Sequence, residues 1–305
     1  MRISTHQLFD RGAARITDAQ TALAHTQQQV ASGRRMLSPS DDPVAAARAL
    51  EVAQTQALNQ QYAANRVQVR NAVSGVEGTL GSVTEAIQSV RELLVSVGNP
   101  NFTDTQRGLV ATELGSRFAE LLGLANSRDA QGNHVFAGFQ TSTVPFVETP
   151  AGASYHGDAG RQFVQVDSNR QLAMSDPGVS VFQGGGQDIF QTIKDAIALL
   201  QTPVVTPANQ AALQSGLTTG ISGIDRALEN VLTVRASMGN RLQELDALDA
   251  AGDSRNVQYS AILSGIQDLD YTEALTRQAR QQLTLEAAQQ SFVKMNSLSL
   301  FNFLR

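Results

Sequence analysis

Cysteine is absent from all 305 residues, which excludes disulfide frameworks, thiol nucleophiles and thiolate-ligated zinc. Tryptophan is missing as well and aromatic residues make up only 5% of the chain. The interior must therefore be filled by Val, Leu, Ile and Ala, which suits long packed helices better than one compact ball. Lysine is confined to Lys194 and Lys294. With a net charge of −5 and no basic cluster, the chain offers no face for neutralising phosphates, so nucleic acid is not an expected partner. Long apolar runs are lacking too: none approaches the roughly 20 residues that span a bilayer, so no membrane insertion is expected. The first twenty residues carry Arg2, Asp10, Arg11, Arg15 and Asp18 and hold no apolar segment of a cleaved secretory signal. Export is accordingly expected only by a route that reads no such signal.

Signatures of chemistry are equally sparse. His6, His25, His134 and His156 are scattered and lack the spacing that puts two ligands on one helical face. Gly184-Gly185-Gly186 is followed by no Lys-Ser or Lys-Thr and reads as a turn. Asp41 and Asp42 precede Pro43, the arrangement of a helix cap, with Asp42 as the capping residue and proline at the first position, where its missing N–H costs nothing. Asp268, Asp270 and Glu273 read as a solvated helix face. No nucleophile with a nearby base is visible, so the expectation is a protein without catalytic residues, cofactor or metal.

What the sequence does have is helical periodicity. Phe9, Ile16, Leu23, Val30 and Leu37 recur every seven residues, with Gly12, Ala19 and Thr26 as small companions, a heptad seam with one bulky and one close-approach row. Ser32 to Arg35 loosens this helix and Ser38 to Pro43 stops it. Next, Val69, Val73, Val76, Leu80, Val83, Ile87, Val90, Leu94 and Val97 alternate steps of four and three. Extended back through Tyr62 and Leu58 to Val44, that helix spans about 80 Å at 1.5 Å per residue. Gly98-Asn99-Pro100 ends it, and a further amphipathic helix starts near Thr103-Asp104 with Val110, Leu114, Phe118, Leu121 and Ala125 on one face.

Between about Asp129 and Gln187, glycine, proline and phenylalanine concentrate. Val135-Phe136, Val144 to Val147, Phe163 to Val166 and Val179 to Phe182 read there as short strands between turns. Helical spacing returns at Ile189, Ile193, Ile197 and Leu200, breaks at Pro203 and Pro207, and resumes from Leu213 to Leu245. It continues through Tyr259, Ile262, Ile266 and Leu269, then Ala279, Leu283 and Ala287, and ends in a tail too apolar to stay exposed: Phe292, Met295, Leu298, Leu300, Phe301, Phe303 and Leu304.

The expected fold is mainly α: an elongated helical rod and coiled coil formed by the N- and C-terminal helices, with a small inserted β domain. Residues 1–40 with 270–305 form terminal coiled-coil assembly arms, 41–140 with 187–269 a helical rod, and 141–186 the β domain. A heptad seam alone suits either an intramolecular bundle or packing between subunits. Its terminal position and the apolar tail favour the second, with Phe9, Ile16, Leu23, Val30, Leu283, Phe292, Leu298, Leu300, Phe301, Phe303 and Leu304 as the expected assembly interface. A helix with one apolar stripe and no partner cannot offset its ordering entropy, so each arm needs such packing to be ordered.

The run Gln29-Val30-Ala31-Ser32-Gly33-Arg34-Arg35, followed by Ser38-Pro39-Ser40-Asp41-Asp42-Pro43-Val44-Ala45-Ala46-Ala47, resembles the N-terminal signature of the bacterial flagellin family. The ending Leu298-Ser299-Leu300-Phe301-Asn302-Phe303-Leu304 is similar to that family's C-terminus. Asp41-Asp42-Pro43, where filament flagellins usually carry alanine after the paired aspartates, looks like the family's hook-associated junction group. Gly132-Asn133-His134-Val135-Phe136-Ala137-Gly138-Phe139 and Pro145-Phe146 look like that group's entry into its β region, which matches only loosely beyond Thr149.

The resemblance implies a structural flagellar subunit. It would be exported unfolded by the flagellar secretion apparatus, escorted by a cytoplasmic chaperone, and assembled outside the cell as a homo-oligomeric ring between hook and filament. Its neighbours would be another hook-associated protein and flagellin or filament-cap subunits. The alternatives are a filament flagellin, or a helical adhesion or signalling module that binds a ligand through residues 141–186.

Overall fold

The computed structural model describes residues 5–99 and 101–303, without the side chains of residues 5, 6, 8 and 295–303. Among the described residues the elements run α1 (Thr5–Ser32), α2 (Pro43–Val97), α3 (Asp104–Ala125), β1 (Phe146–Thr149), β2 (Gly152–Tyr155), β3 (Phe163–Asp167), β4 (Arg170–Ala173), α4 (Gly178–Phe182), α5 (Ile189–Gln201), α6 (Pro207–Gln267) and α7 (Tyr271–Phe303). The fold is mainly α, with long helices at both ends and a small strand region between them.

The chain forms two compact units, residues 1–59 with 254–305, and residues 60–253. The expected three-part division drew these boundaries elsewhere. Here the stretch 141–186 belongs to the same unit as the helices around it, because its apolar side chains bury into their core instead of forming one of their own.

In the 60–253 unit the nine-residue α2 stripe from Val69 to Val97 is no more than 2% exposed at any position. Its partner row on α6 is Leu217, Ile224, Val231, Met238 and Leu245, all buried at seven-residue intervals. At the edges of this seam Arg235 donates to Glu77 (2.6 and 3.1 Å) and Arg91 to Asp225 (2.6 Å). Helix α3 begins with a reciprocal capping box between Thr103 and Gln106. It buries Ala111, Leu114, Phe118, Leu121 and Ala125 and packs on α5, whose own start is capped by Asp188 accepting from the N–H groups of Phe190 and Gln191.

The strands form two separate antiparallel hairpins. One pairs Phe146 with Tyr155 through Thr149 with Gly152, and the other pairs Phe163 with Ala173 through Asp167 with Arg170, with a bulge between Gln165 and Asp167. Phe146 sits at the centre of an aromatic cluster, with ring centroids 5.1 Å from Tyr155, 5.4 Å from Phe182 and 5.1 Å from Phe190. Asn126 clamps that strand by donating to the Phe146 carbonyl (2.8 Å) and accepting from its N–H (2.9 Å).

Two of the expected strands are not strands. Val179 to Phe182 lies in helix α4, started by Pro177 at its N-cap and finished by Asn230, whose amide donates to the carbonyls of Ser180 (2.9 Å) and Val181 (2.8 Å). Periodicity cannot separate strand from helix in so short an apolar run. Val135-Phe136 lies in a loop held by Gly132 and Gly138 at positive φ, with Phe136 buried. Helix α6 runs unbroken over 61 residues.

Arg66 continues the α2 stripe one step before Val69, yet it is only 1% exposed. Its guanidinium pairs with Asp249 and donates to the Val166 carbonyl (3.0 Å) on β3. It occupies space that only glycine leaves at position 252, where a Cβ would stand 2.5 Å from Nη2. Asn65 donates to the neighbouring Gln165 carbonyl (2.7 Å). Arg170 pairs with Glu244, and buried Asp176 is held by both Arg161 (2.8 Å) and Arg241 (2.9 Å). The second hairpin is thus tied to the helices by buried and half-buried ionic bonds.

Candidate assembly surface

In the unit formed by the two chain ends, α1 packs along α7. The α1 residues drawn in are Gly12, Ile16, Ala19, Leu23 and Val30, half-buried, and Thr26 and Gln29, buried. Gly12 permits the closest approach, since a Cβ there would stand 2.9 Å from the ring of Phe292. Phe9 lies against the same ring, with centroids 5.0 Å apart, but keeps 45% of its surface exposed. On α7 the inward row is Ala274, Gln278, Gln281, Leu285, Ala288 and Phe292, in steps of four and three. The expected row through Ala279, Leu283 and Ala287 is displaced from it, and Leu283 points outward, 69% exposed. Leucine stands at both 283 and 285, so spacing alone admits either row. Leu37, the last expected heptad position, lies past the end of α1. The side chains of Leu298, Leu300, Phe301 and Phe303, and all of Leu304, lie outside the described residues.

Both helical connections of this unit meet at one level. Arg35 N–H donates to the Gln267 carbonyl (2.8 Å) and Leu269 N–H to the Gly33 carbonyl (3.0 Å), so the loop after α1 and the turn before α7 bridge each other. Arg35 also donates from its guanidinium to the Ile266 carbonyl (3.1 and 3.2 Å) and to Asp42 (3.1 Å). Gly33 adopts φ +69°, with the Tyr271 hydroxyl 2.9 Å from where a Cβ would lie. Both conditions favour glycine in this turn.

Asp42 accepts from the Ala45 N–H (3.0 Å) at the start of α2, the geometry of an N-cap. Asp270 does the same for α7, accepting from the N–H groups of Thr272 (2.9 Å) and Glu273 (3.1 Å). Asp270 stays exposed, as do Asp268 and Glu273, so the cap is an added role for a solvated residue. The Asp270-x-x-Glu273 spacing ahead of an apolar row was the signal that could have shown it.

Asp41 accepts from the N–H groups of Leu37 (2.8 Å) and Ser38 (3.1 Å) and from the Ser38 hydroxyl (2.9 Å). These bonds, led by the Ser38 and Leu37 amides and helped by nearby His25, lower its carboxyl to about 2. Because the folded value is the lower one, the stabilisation is complete above the ordinary aspartate range near 4 and is lost as pH falls through about 2. Asp41→Asn is expected to loosen the joint at neutral pH and to become indistinguishable from the parent chain near pH 2. Hydrogen exchange at residues 33–42 across that window checks it, and a mutational difference that persists unchanged at pH 2 would contradict the assignment.

Large apolar side chains remain uncovered on this unit: Val44 (79% exposed), Leu50 (72%), Leu275 (52%), Leu283 (69%) and Val293 (65%). Among the described residues no group of His, Asp or Glu is arranged to hold a metal ion, and no helix is long and apolar enough to cross a membrane.

The family description "Bacterial flagellin N-terminal helical region" matches residues 3–141. Over its full length the chain is 34% identical to flagellar hook-associated protein 3 of Salmonella typhimurium, an alignment of 319 residues covering 100% of both proteins. A flagellar filament 41 kDa core protein of Borreliella burgdorferi is 23% identical over 274 residues, covering 79% of this chain and 81% of that protein. Among solved structures, a flagellar hook-associated protein 3 from Legionella pneumophila superposes with a TM-score of 0.67 at 18% identity, covering 70% of this chain and 98% of the other, a likeness of fold. The terminal helices, the joint at their base and the match along the entire length place this chain in the flagellin family, among its hook-associated protein 3 members.

Proposed function

We propose that this chain is the structural subunit that joins the flagellar hook to the filament. Copies assemble as a ring, with the paired terminal helices forming the inner coiled-coil layer of a tube. The task is mechanical: helix packing along a common axis couples two tubes of different stiffness, and no catalytic step or cofactor is involved. Its neighbours are another hook-associated protein on one side and flagellin or the filament cap on the other. It reaches them through the flagellar secretion apparatus, escorted by a cytoplasmic chaperone.

The observation that supports this reading best is the apolar surface left uncovered on α1, α7 and the start of α2, in a chain that aligns end to end with a hook-associated protein. Isolated exposed apolar residues are ordinary, but a concentration of them on one small unit marks a protein-binding surface. Phe9, Ile16, Leu23, Val30, Phe292 and Leu283 contribute either by holding the arm pair together or by facing outward from it. The same proposal assigns the tail residues Leu298, Leu300, Phe301, Phe303 and Leu304 to contacts between subunits. The full-length match at 34% identity, against 23% for the filament core protein, favours a junction subunit over a filament flagellin.

Cells lacking the gene should secrete flagellin monomers and grow no filaments, and filaments of normal number in such cells would refute the proposal. Reintroducing a chain without Met295 to Arg305 should leave the 60–253 unit folded by circular dichroism, yet fail to restore filaments.

A further inference from the structure

A groove of about 510 Å³ runs beside the α1–α7 seam, lined in part by Asp18, His25, Gln29, Arg277 and Gln281. Its hydrogen-bonding capacity is one-sided. Gln29 is only 6% exposed and its amide nitrogen donates to the Arg35 carbonyl (2.6 Å), which fixes the orientation of the amide. Gln29 Oε1 is buried and has no partner. Across the groove on α7, Gln281 Oε1 is also buried without a partner. Asp18 is exposed at the same groove and makes no ion pair among the described residues. Arg277 is engaged with Glu273 (2.5 Å), and the His25 ring lies 3.5 Å from Asp41.

Two buried amide oxygens and an exposed carboxylate form a set of acceptors that no donor of the groove reaches. Native proteins seldom leave buried acceptors unpaired, so such a pair marks a place that another group completes. The complementary group has donors only, is planar and is positively charged, which describes a guanidinium. The chain is rich in that group: all but two of its 23 basic residues are arginines. Arg11, Arg15 and Arg280 stand exposed on the same two helices, with no acidic partner among the described residues.

Building on the proposed self-assembly, we infer that this groove receives an arginine side chain of a second copy of the chain, supplied by Arg11, Arg15 or Arg280. In the proposed ring the contact is heterologous, with the donor on each copy and the groove on the next, and its repetition closes the ring.

Removing the Gln281 acceptor with Gln281→Leu should act in opposite directions on monomer and assembly. The purified chain should melt at the same or a higher temperature, because a buried unpaired oxygen is gone. Cells carrying it as their only copy should bear roughly tenfold fewer filaments, the loss expected for one hydrogen bond to a charged donor. The absence of native cysteine permits a direct second test. Thr21→Cys in the groove, combined singly with Arg11→Cys, Arg15→Cys or Arg280→Cys, should give a ladder of disulfide-linked oligomers in isolated flagella for at least one pair. Normal filament numbers with Gln281→Leu, together with no ladder from any of the three pairs in flagella that grow filaments, would overturn the inference and leave the junction role standing. Filaments in cells lacking the gene would instead remove the role itself.

Discussion

Arg66→Ala is expected to destabilise the 60–253 unit by about 3–5 kcal/mol, the combined cost of the void left by a buried side chain and of an unpaired buried carbonyl. The guanidinium is only 1% exposed, pairs with Asp249 and donates to the Val166 carbonyl. Truncation therefore leaves an unpaired backbone oxygen and a void beside Gly252, while Asp249 keeps Arg70 as its partner (2.8 Å). For a unit of this size that corresponds to a fall in melting temperature of roughly 6–20 °C. The double substitution Arg66→Met with Asp249→Leu should recover only part of the loss, because it refills the void but leaves Arg70 with Asp246 alone. Thermal melts of the single and double variants separate the two effects, and a single variant that melts within 2 °C of the parent chain, on the order of 1 kcal/mol or less, would show that the pair is dispensable. Hydrogen exchange at 163–173 should report the same event locally, since Arg66 and Asn65 hold the carbonyls of that hairpin.

Phe146→Ala is expected to cost a similar amount, about 3–5 kcal/mol, by a different route. Its ring is 1% exposed and meets Tyr155, Phe182 and Phe190 at centroid separations of 5.1–5.4 Å. Truncation leaves a cavity that these rings cannot all collapse into, and it removes three aromatic pairings at once. Phe146→Leu keeps most of the volume and should cost about half as much. Because Asn126 holds the backbone of residue 146 on both its N–H and its carbonyl, the hairpin should keep its register while the packing beneath it loosens. Near-ultraviolet circular dichroism should fall while the far-ultraviolet signal is retained below the melting point, and a parallel loss of both would mean that the hairpin unfolds with the ring.

Much of the architecture was legible because it is periodic. Nine residues from Val69 to Val97 in steps of four and three can be buried together only on a helix, and that stripe is the core. The endings were legible where the residues carry their own geometry: Gly98 after α2, Thr103 before α3, the prolines between α5 and α6, and Asp42 ahead of Pro43. Arg66 was not. Its place in the stripe is clear in hindsight, but a guanidinium is buried only if a carboxylate, a carbonyl and a glycine arrive from 249, 166 and 252, and nothing local announces them. The same holds for α4, where an amide from residue 230 helps to end a five-residue helix.

By itself the sequence determined that this protein is mainly helical, that its ends are amphipathic, and that it belongs with the flagellin family, since each follows from residue types at fixed spacing. Only the tertiary structure decided which side of α7 faces α1, that the two helical connections bridge each other through Arg35 and Leu269, and that the seam leaves a groove of unmatched acceptors. The physical reason is the same in each case. A helix's own period is set by its local backbone, but the azimuth it presents to a partner, and the polar groups stranded there, depend on side chains hundreds of residues away.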